Sequence, residues 1–280
     1  MNHSTVKSFT FGIGLFFTLP LVYGNSSSPS SSDGTLYINK SKTHKVAPVK
    51  YGFHYEEIGM MGEGALHADK SKTAPPVAAA EYVGRMISGD VNFRNCGRSG
   101  ATTVDFLPER GADFRRVEQA ISELRDISYG PIVFSIMLGT NDSASRGPLG
   151  APVSNEDYER NLATIMARIR ELCPEAIFVL QRPIWYSANT YNGAMYLVEG
   201  QKRLVGYANV LIGMAEKYND VYMGDLKGYD YFRDHHLKYY FAENGNAGVF
   251  YLHPNESGAR KLGKRWARAI VNAIQASERK

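Results

Sequence analysis

The sequence predicts an α/β domain of three layers, α/β/α, around a parallel sheet. Three observations carry this. Residues 131–142, PIVFSIMLGTND, form a near-continuous apolar run ending in a polar turn. That is the pattern of a central strand covered on both faces. Short apolar runs alternate along the chain with amphipathic stretches of helical period, which predicts strand–helix units joined by right-handed crossovers. Polar, glycine-bearing turns follow several of the runs, where the strands of an open parallel sheet present their ligand-binding edge.

The chain opens with Lys7 and an apolar stretch over 9–22 that closes on Val22-Tyr23-Gly24. This order of charge, apolar run and small residue predicts an export signal over residues 1–24, too short and too interrupted to span a membrane. Residues 25–45 begin NSSSPSSSDG and read as a linker and N-terminal extension. The folded domain is expected over 46–280. Its first core strand is placed at 58–62, turning at Gly62-Glu63-Gly64.

Pro75 and Pro76 then open a helix whose apolar face carries Val77, Ala80, Val83 and Met86. A strand over 91–95 runs into Cys96-Gly97-Arg98-Ser99-Gly100, and 114–127 is amphipathic. After the central strand, helix 155–172 ends at Pro174 and a strand covers 176–180. A polar, aromatic loop follows to about Asn192, and Trp185, Tyr186, Tyr191 and Tyr196 are candidates to line a sugar groove there. A long helix covers 195–218 and a short strand 221–224. Residues 227–248 read as a long loop with helical character, and 255–276 as the closing helix.

Composition limits the function. A chain of 280 residues, 44% hydrophobic and 21% charged, suits one sizeable globular domain. A net charge of +4 with no basic block gives no footing for nucleic acid. No cofactor or metal is expected: adjacent His235 and His236 point apart and make poor ligand geometry. The two cysteines, Cys96 and Cys173, fall at opposite ends of parallel strands, so no disulfide is expected. After loss of the signal, stable membrane association is not expected either.

Three stretches carry a family resemblance. Asn95-Cys96-Gly97-Arg98-Ser99-Gly100, Gly139-Thr140-Asn141-Asp142, and Tyr251-Leu252-His253-Pro254-Asn255 with Gly258 resemble the second, third and fifth sequence blocks of the SGNH hydrolases. This is the GDSL esterase/lipase superfamily. The resemblance implies a flavodoxin-like strand order and an SGNH hydrolase fold. It implies an oxyanion hole from the Gly100 N–H and the Asn141 amide, with His253 as general base. Within that superfamily, export and the aromatic loop point to acyl, notably acetyl, esters of carbohydrates. The expected partners are small-molecule or polysaccharide esters in a secreted or periplasmic setting.

Two positions depart from the pattern. The nucleophilic serine of the first block falls on Gly64, which has no side chain to attack with. The aspartate three residues before the histidine is replaced by Phe250, leaving a dyad whose imidazole a backbone carbonyl can orient. Ser71, Ser99 and Ser143 are substitute nucleophiles, and Glu63 with His253 is a route through activated water. The competing class is a non-catalytic carbohydrate-binding or interaction protein on the same fold. Residues 51–69, YGFHYEEIGMMGEGALHAD, also resemble the opening of family 51 arabinofuranosidases, but the chain is too short for that barrel.

Overall fold

In a computed structural model, residues 7–11, 16–21, 74–87, 91–127 and 132–279 are described. Six strands form the main sheet: β1 (Lys7–Phe11), β2 (Phe16–Leu21), β3 (Asn92–Arg94), β4 (Ile132–Ile136), β5 (Ile177–Leu180) and β6 (Val221–Met223). Their order is β3-β2-β1-β4-β5-β6. β1, β4, β5 and β6 run parallel, with Val133 opposite Ile177 and Phe178 opposite Val221. β2 pairs antiparallel with both β1 and β3.

β4 occupies the position predicted for residues 131–142, and all five of its residues are buried. Its side chains alternate between two cores, as strand geometry requires. Ile132, Phe134 and Ile136 join the apolar cluster built with α2 (Ala112–Ile127), α3 (Asn155–Leu172) and α4 (Leu197–Lys217). Val133 joins the opposite cluster with α1 (Pro75–Ile87) and α7 (Glu256–Ser277). Two helical layers therefore cover the sheet, and the three-layer architecture stands. Among the described residues no helix is long and apolar enough to cross a membrane.

The helices start where their sequences provide caps. Ser154 Oγ accepts the Asp157 N–H at 3.0 Å and opens α3. Asn255 Oδ1 accepts the Gly258 N–H at 3.0 Å and opens α7. Each satisfies an N–H that the first helical turn leaves without a partner.

Three stretches differ from the sequence reading or lie beyond the described residues. The apolar run over 9–22, read as the heart of an export signal, overlaps the two strands β1 and β2. An apolar run of that length suits a strand pair as well as a signal, so composition does not separate the two. Residues 227–248 are not one loop. They hold the short helices α5 (Gly228–Asp234) and α6 (His236–Tyr239) and the strand β7 (Glu243–Gly245), which pairs antiparallel with β8 (Gly248–Phe250). The strand expected at 58–62, Glu63, Gly64 and Ser71 lie outside the described residues, as does the stretch resembling arabinofuranosidases.

Both cysteines are buried free thiols. Cys96 Sγ donates to the Arg116 carbonyl at 3.4 Å, and burial pushes its pKa well up. Burial likewise raises Cys173, to about 12. Neither is poised to react.

Candidate active site

The polar turns gather at the carboxyl ends of the sheet strands. The first follows β3. Gly100 sits there at φ +74°, a conformation glycine adopts without the steric cost of a side chain. Open space surrounds the place its Cβ would take. No described group accepts from its N–H. The turn is braced from outside. Arg98 spans Asp105 and Asp113 at 2.7 and 2.8 Å, Arg116 pairs with Asp113, and Arg116 donates to the Gly97 carbonyl at 3.1 Å. Ser99, half-buried in this turn, has no hydrogen bond to its Oγ among the described residues.

The second turn follows β4. Asn141 is buried, and its amide is oriented from both ends. Tyr196 donates its hydroxyl to Asn141 Oδ1 at 2.5 Å, while Asn141 Nδ2 donates to the Ala101 carbonyl at 3.2 Å. Because Oδ1 is engaged as an acceptor, the NH2 group faces the Gly100 turn, and its second N–H remains to be given. Asp142 fastens the two turns together. Its Oδ1 accepts from the Thr103 N–H at 2.9 Å and from the Thr103 hydroxyl, which also accepts from Asn161 Nδ2 at 2.9 Å. Asp142 Oδ2 is buried without a partner. Burial raises the Asp142 carboxyl to about 6, against the lowering effect of its bonds to Thr103.

Ser143 is committed inside its own turn. Its hydroxyl donates to the Thr140 carbonyl at 2.6 Å and lies 2.9 Å from the Tyr186 hydroxyl. The structure thus gives it a turn-closing place of the kind serine commonly fills.

His253 precedes α7, which Asn255 caps. A Cβ on Gly258 would lie 2.1 Å from the Tyr239 carbonyl, so only glycine lets α7 start this close to α6. The imidazole is buried, and Nδ1 stands 2.6 Å from Glu243 Oε2. The other carboxylate oxygen, Oε1, accepts the His253 backbone N–H at 3.0 Å. A carboxylate accepts, so Nδ1 carries the proton and Nε2 is the basic nitrogen.

This pair corrects the sequence reading. The imidazole is oriented by Glu243, ten residues upstream, and not by a backbone carbonyl. In the β7–β8 hairpin Glu243 stands directly opposite Phe250. Phe250 holds the position, three residues before the histidine, where an aspartate was sought. The acid has moved one strand across while still reaching the same imidazole. A turn-rich ENGNAG between short apolar runs was the available signal, and it needed a hairpin register to be read.

The loop after β5 joins the two halves of the site. Ser187 donates its N–H to the Tyr251 carbonyl at 2.9 Å, and its Oγ accepts the Tyr251 N–H at 2.8 Å. At its far end Tyr196 grips Asn141. Of the aromatics proposed to line a sugar groove, Tyr186 and Tyr196 are fully buried and serve the turns. Tyr191 bridges to Met195 and accepts the Asn246 N–H at its carbonyl. Trp185 is half-buried.

The site therefore offers an oriented amide donor, a glycine turn beside it and a histidine–carboxylate pair. No group of three or more His, Cys, Asp or Glu suited to a metal occurs among the described residues.

Solved structures of similar shape include an acetylxylan esterase from Geobacillus stearothermophilus. It is 20% identical, with a TM-score of 0.48, over 81% of this chain and 96% of that one. A putative GDSL-like lipase from Parabacteroides merdae is 18% identical, with a TM-score of 0.48, over 70% of this chain and 80% of that one. No curated protein matches the chain. The model of the GDSL-like lipase/acylhydrolase family matches residues 63–261, a span that takes in both polar turns, the hairpin and His253, and the chain belongs to that family.

Proposed function

We propose that the protein is an exported ester hydrolase acting on O-acyl, chiefly O-acetyl, groups of carbohydrates. The observation that carries the reading is the buried Glu243–His253 pair. Desolvating a carboxylate and an imidazole is costly, and bonding both carboxylate oxygens to one residue offsets that cost while fixing the tautomer a general base needs.

The chemistry follows from the arrangement. His253 Nε2 takes the proton of the attacking oxygen as that oxygen bonds to the acyl carbon. The carbonyl oxygen becomes an oxyanion, and the Gly100 N–H and the Asn141 amide stabilise it, each by about 3 kcal/mol. The acyl–oxygen bond to the sugar then breaks, and the imidazolium gives its proton to the departing alkoxide, which leaves as the sugar hydroxyl. Where the attacking oxygen is a serine's, water repeats the cycle on the acyl-enzyme, releasing the acid and restoring the serine. Glu243 holds the ring throughout and compensates its charge.

Three sources of the attacking oxygen are distinguished by experiment. Ser99 is the described candidate with an uncommitted hydroxyl; Ser71 and water activated with Glu63 come from the segment around Gly64. The test is acetate release from p-nitrophenyl acetate and acetylated xylan by the parent, His253→Ala and Gly64→Ser. Activity in the parent that His253→Ala abolishes is the expected result. A silent parent revived by Gly64→Ser would instead mark a binding protein that kept its pocket. Mass mapping after a fluorophosphonate label identifies the reacting serine, and an unlabelled but active enzyme points to water.

The charge and apolar order of the N-terminus support export. Recovery of a secreted chain beginning at Asn25 is expected. An intact chain with β1 protected from protease would overturn it.

A further inference from the structure

We propose that Trp185, His236 and Tyr251 form a stacking subsite, beside His253, for a pyranose ring of the substrate's carbohydrate. This deepens the reading above and rests on it for the identity of the acyl-bearing partner.

The three rings form a continuous aromatic surface. The His236 ring centroid lies 5.1 Å from that of Trp185, tilted by 45°, and 4.8 Å from that of Tyr251, edge-on at 68°. All three residues are half-buried, so each has atoms packed on the scaffold and atoms open to solvent. The support beneath is stiff. Tyr240, buried, meets the indole edge-on at 6.0 Å and donates its hydroxyl to the Trp185 carbonyl. His236 Nδ1 stands 2.7 Å from the Arg233 carbonyl. A carbonyl only accepts, so this nitrogen holds the proton and Nε2 is left as an acceptor.

The surface is continuous with the proposed catalytic base. Tyr251 lies two residues before His253, so their Cα atoms are at most about 7 Å apart. Its backbone is doubly bonded to Ser187, two residues beyond Trp185. Phe241, 39% exposed, donates its N–H to the His253 carbonyl at 2.9 Å. Half-buried rings on a rigid base accept flat apolar ligands at low entropic cost. A pyranose presents such a face through its axial C–H groups. Its ring-edge hydroxyls need polar partners beside the aromatic ones, and His236 Nε2 supplies an acceptor. A lipid chain would use the rings and leave that nitrogen without purpose.

The chain has two tryptophans, and the other, Trp266, is buried in the core. Intrinsic fluorescence therefore reports the proposed subsite. Titrating the full-length protein with unacylated xylotetraose or cellotetraose should shift the emission saturably, and calorimetry should give the same affinity. Trp185→Ala should weaken binding by about tenfold and raise KM on acetylated xylotetraose correspondingly, more than it lowers kcat. Trp185→Phe, which keeps a ring, should recover part of the loss, and an unchanged circular dichroism spectrum keeps a folding defect from mimicking it. No saturable response to either tetrasaccharide, or full binding by Trp185→Ala, overturns the subsite. So does an emission shift elicited only by phospholipid vesicles. Binding needs no turnover, so tetrasaccharide binding by a protein inert on every ester leaves the subsite standing and removes the hydrolase reading. An active esterase that ignores both sugars does the reverse.

Discussion

Two buried carboxylates, Asp142 and Glu243, sit at the same edge of the sheet and do opposite work. Asp142 places one oxygen on Thr103 and leaves the other without a partner. Its ionised form is disfavoured, and its carboxyl rises to about 6. Glu243 places both oxygens on one residue, one on the His253 N–H and one on Nδ1. Both acids are buried, and they differ in the partners that their oxygens find. A carboxylate paired with a ring can serve as an electrostatic partner in a reaction. One held by a neutral hydroxyl and an amide serves as a clamp, and its charge is a liability.

The contrast is broken most forcefully at the base. His253→Ala should lower kcat on p-nitrophenyl acetate by about 10²–10⁴-fold, the range for removing a general base. Steady-state kinetics on purified protein measure this. Asn141→Ala should cost about 10²–10³-fold in kcat with little change in KM, because the amide acts on charge that develops only in the transition state. Glu243→Gln keeps the size of the side chain but cannot accept from both His253 N–H groups. A fall in kcat of about a hundredfold or more is expected. Were Asp142→Asn to lose as much, the division between the two acids would fail.

Asp142 sharpens the comparison through pH. Its folded pKa of about 6 lies above the ordinary 3.8. Between those values the native state binds more protons than the unfolded chain, so this contribution favours the fold at low pH and is lost as pH rises through 6. The displacement corresponds to about 3 kcal/mol. Asp142→Asn keeps an oxygen for Thr103 without the charge. Its stability relative to the parent should improve progressively from pH 4 to pH 7, and denaturant titrations at fixed pH values read that trend. The smallest effect belongs to Ser143→Ala, which removes the bond to the Thr140 carbonyl and should cost about 1 kcal/mol in thermal unfolding.

Much of this site was legible in the sequence because it is carried by turns. Gly100, Asn141 and His253 follow a strand or precede a helix, and local chemistry fixes such places. Glu243 was not legible. Its meaning depends on the pairing of β7 with β8, and only that register puts it opposite Phe250. Tyr196 was a candidate to line a sugar groove and is instead the buried hydroxyl that orients Asn141, a contact across 55 residues that no local pattern encodes. Ser143, a candidate nucleophile by its place beside the Asn141 turn, spends its hydroxyl on that turn. The fold was legible in its strand–helix alternation. The long segment 227–248 was not, since short helices and three-residue strands carry too few residues for a period to show.

The hairpin has one more consequence. Glu243 is delivered by two strands of three residues, in which Asn244, Gly248 and Val249 are exposed and Glu243 and Phe250 are buried. The imidazole, by contrast, sits at the head of a 22-residue helix. Such a ribbon opens at a smaller free energy than the sheet beneath it. On warming, the acid should leave its ring by local unfolding while the core remains intact. Loss of the proposed hydrolysis would then precede melting, and its heat tolerance would be set by two three-residue strands rather than by the domain.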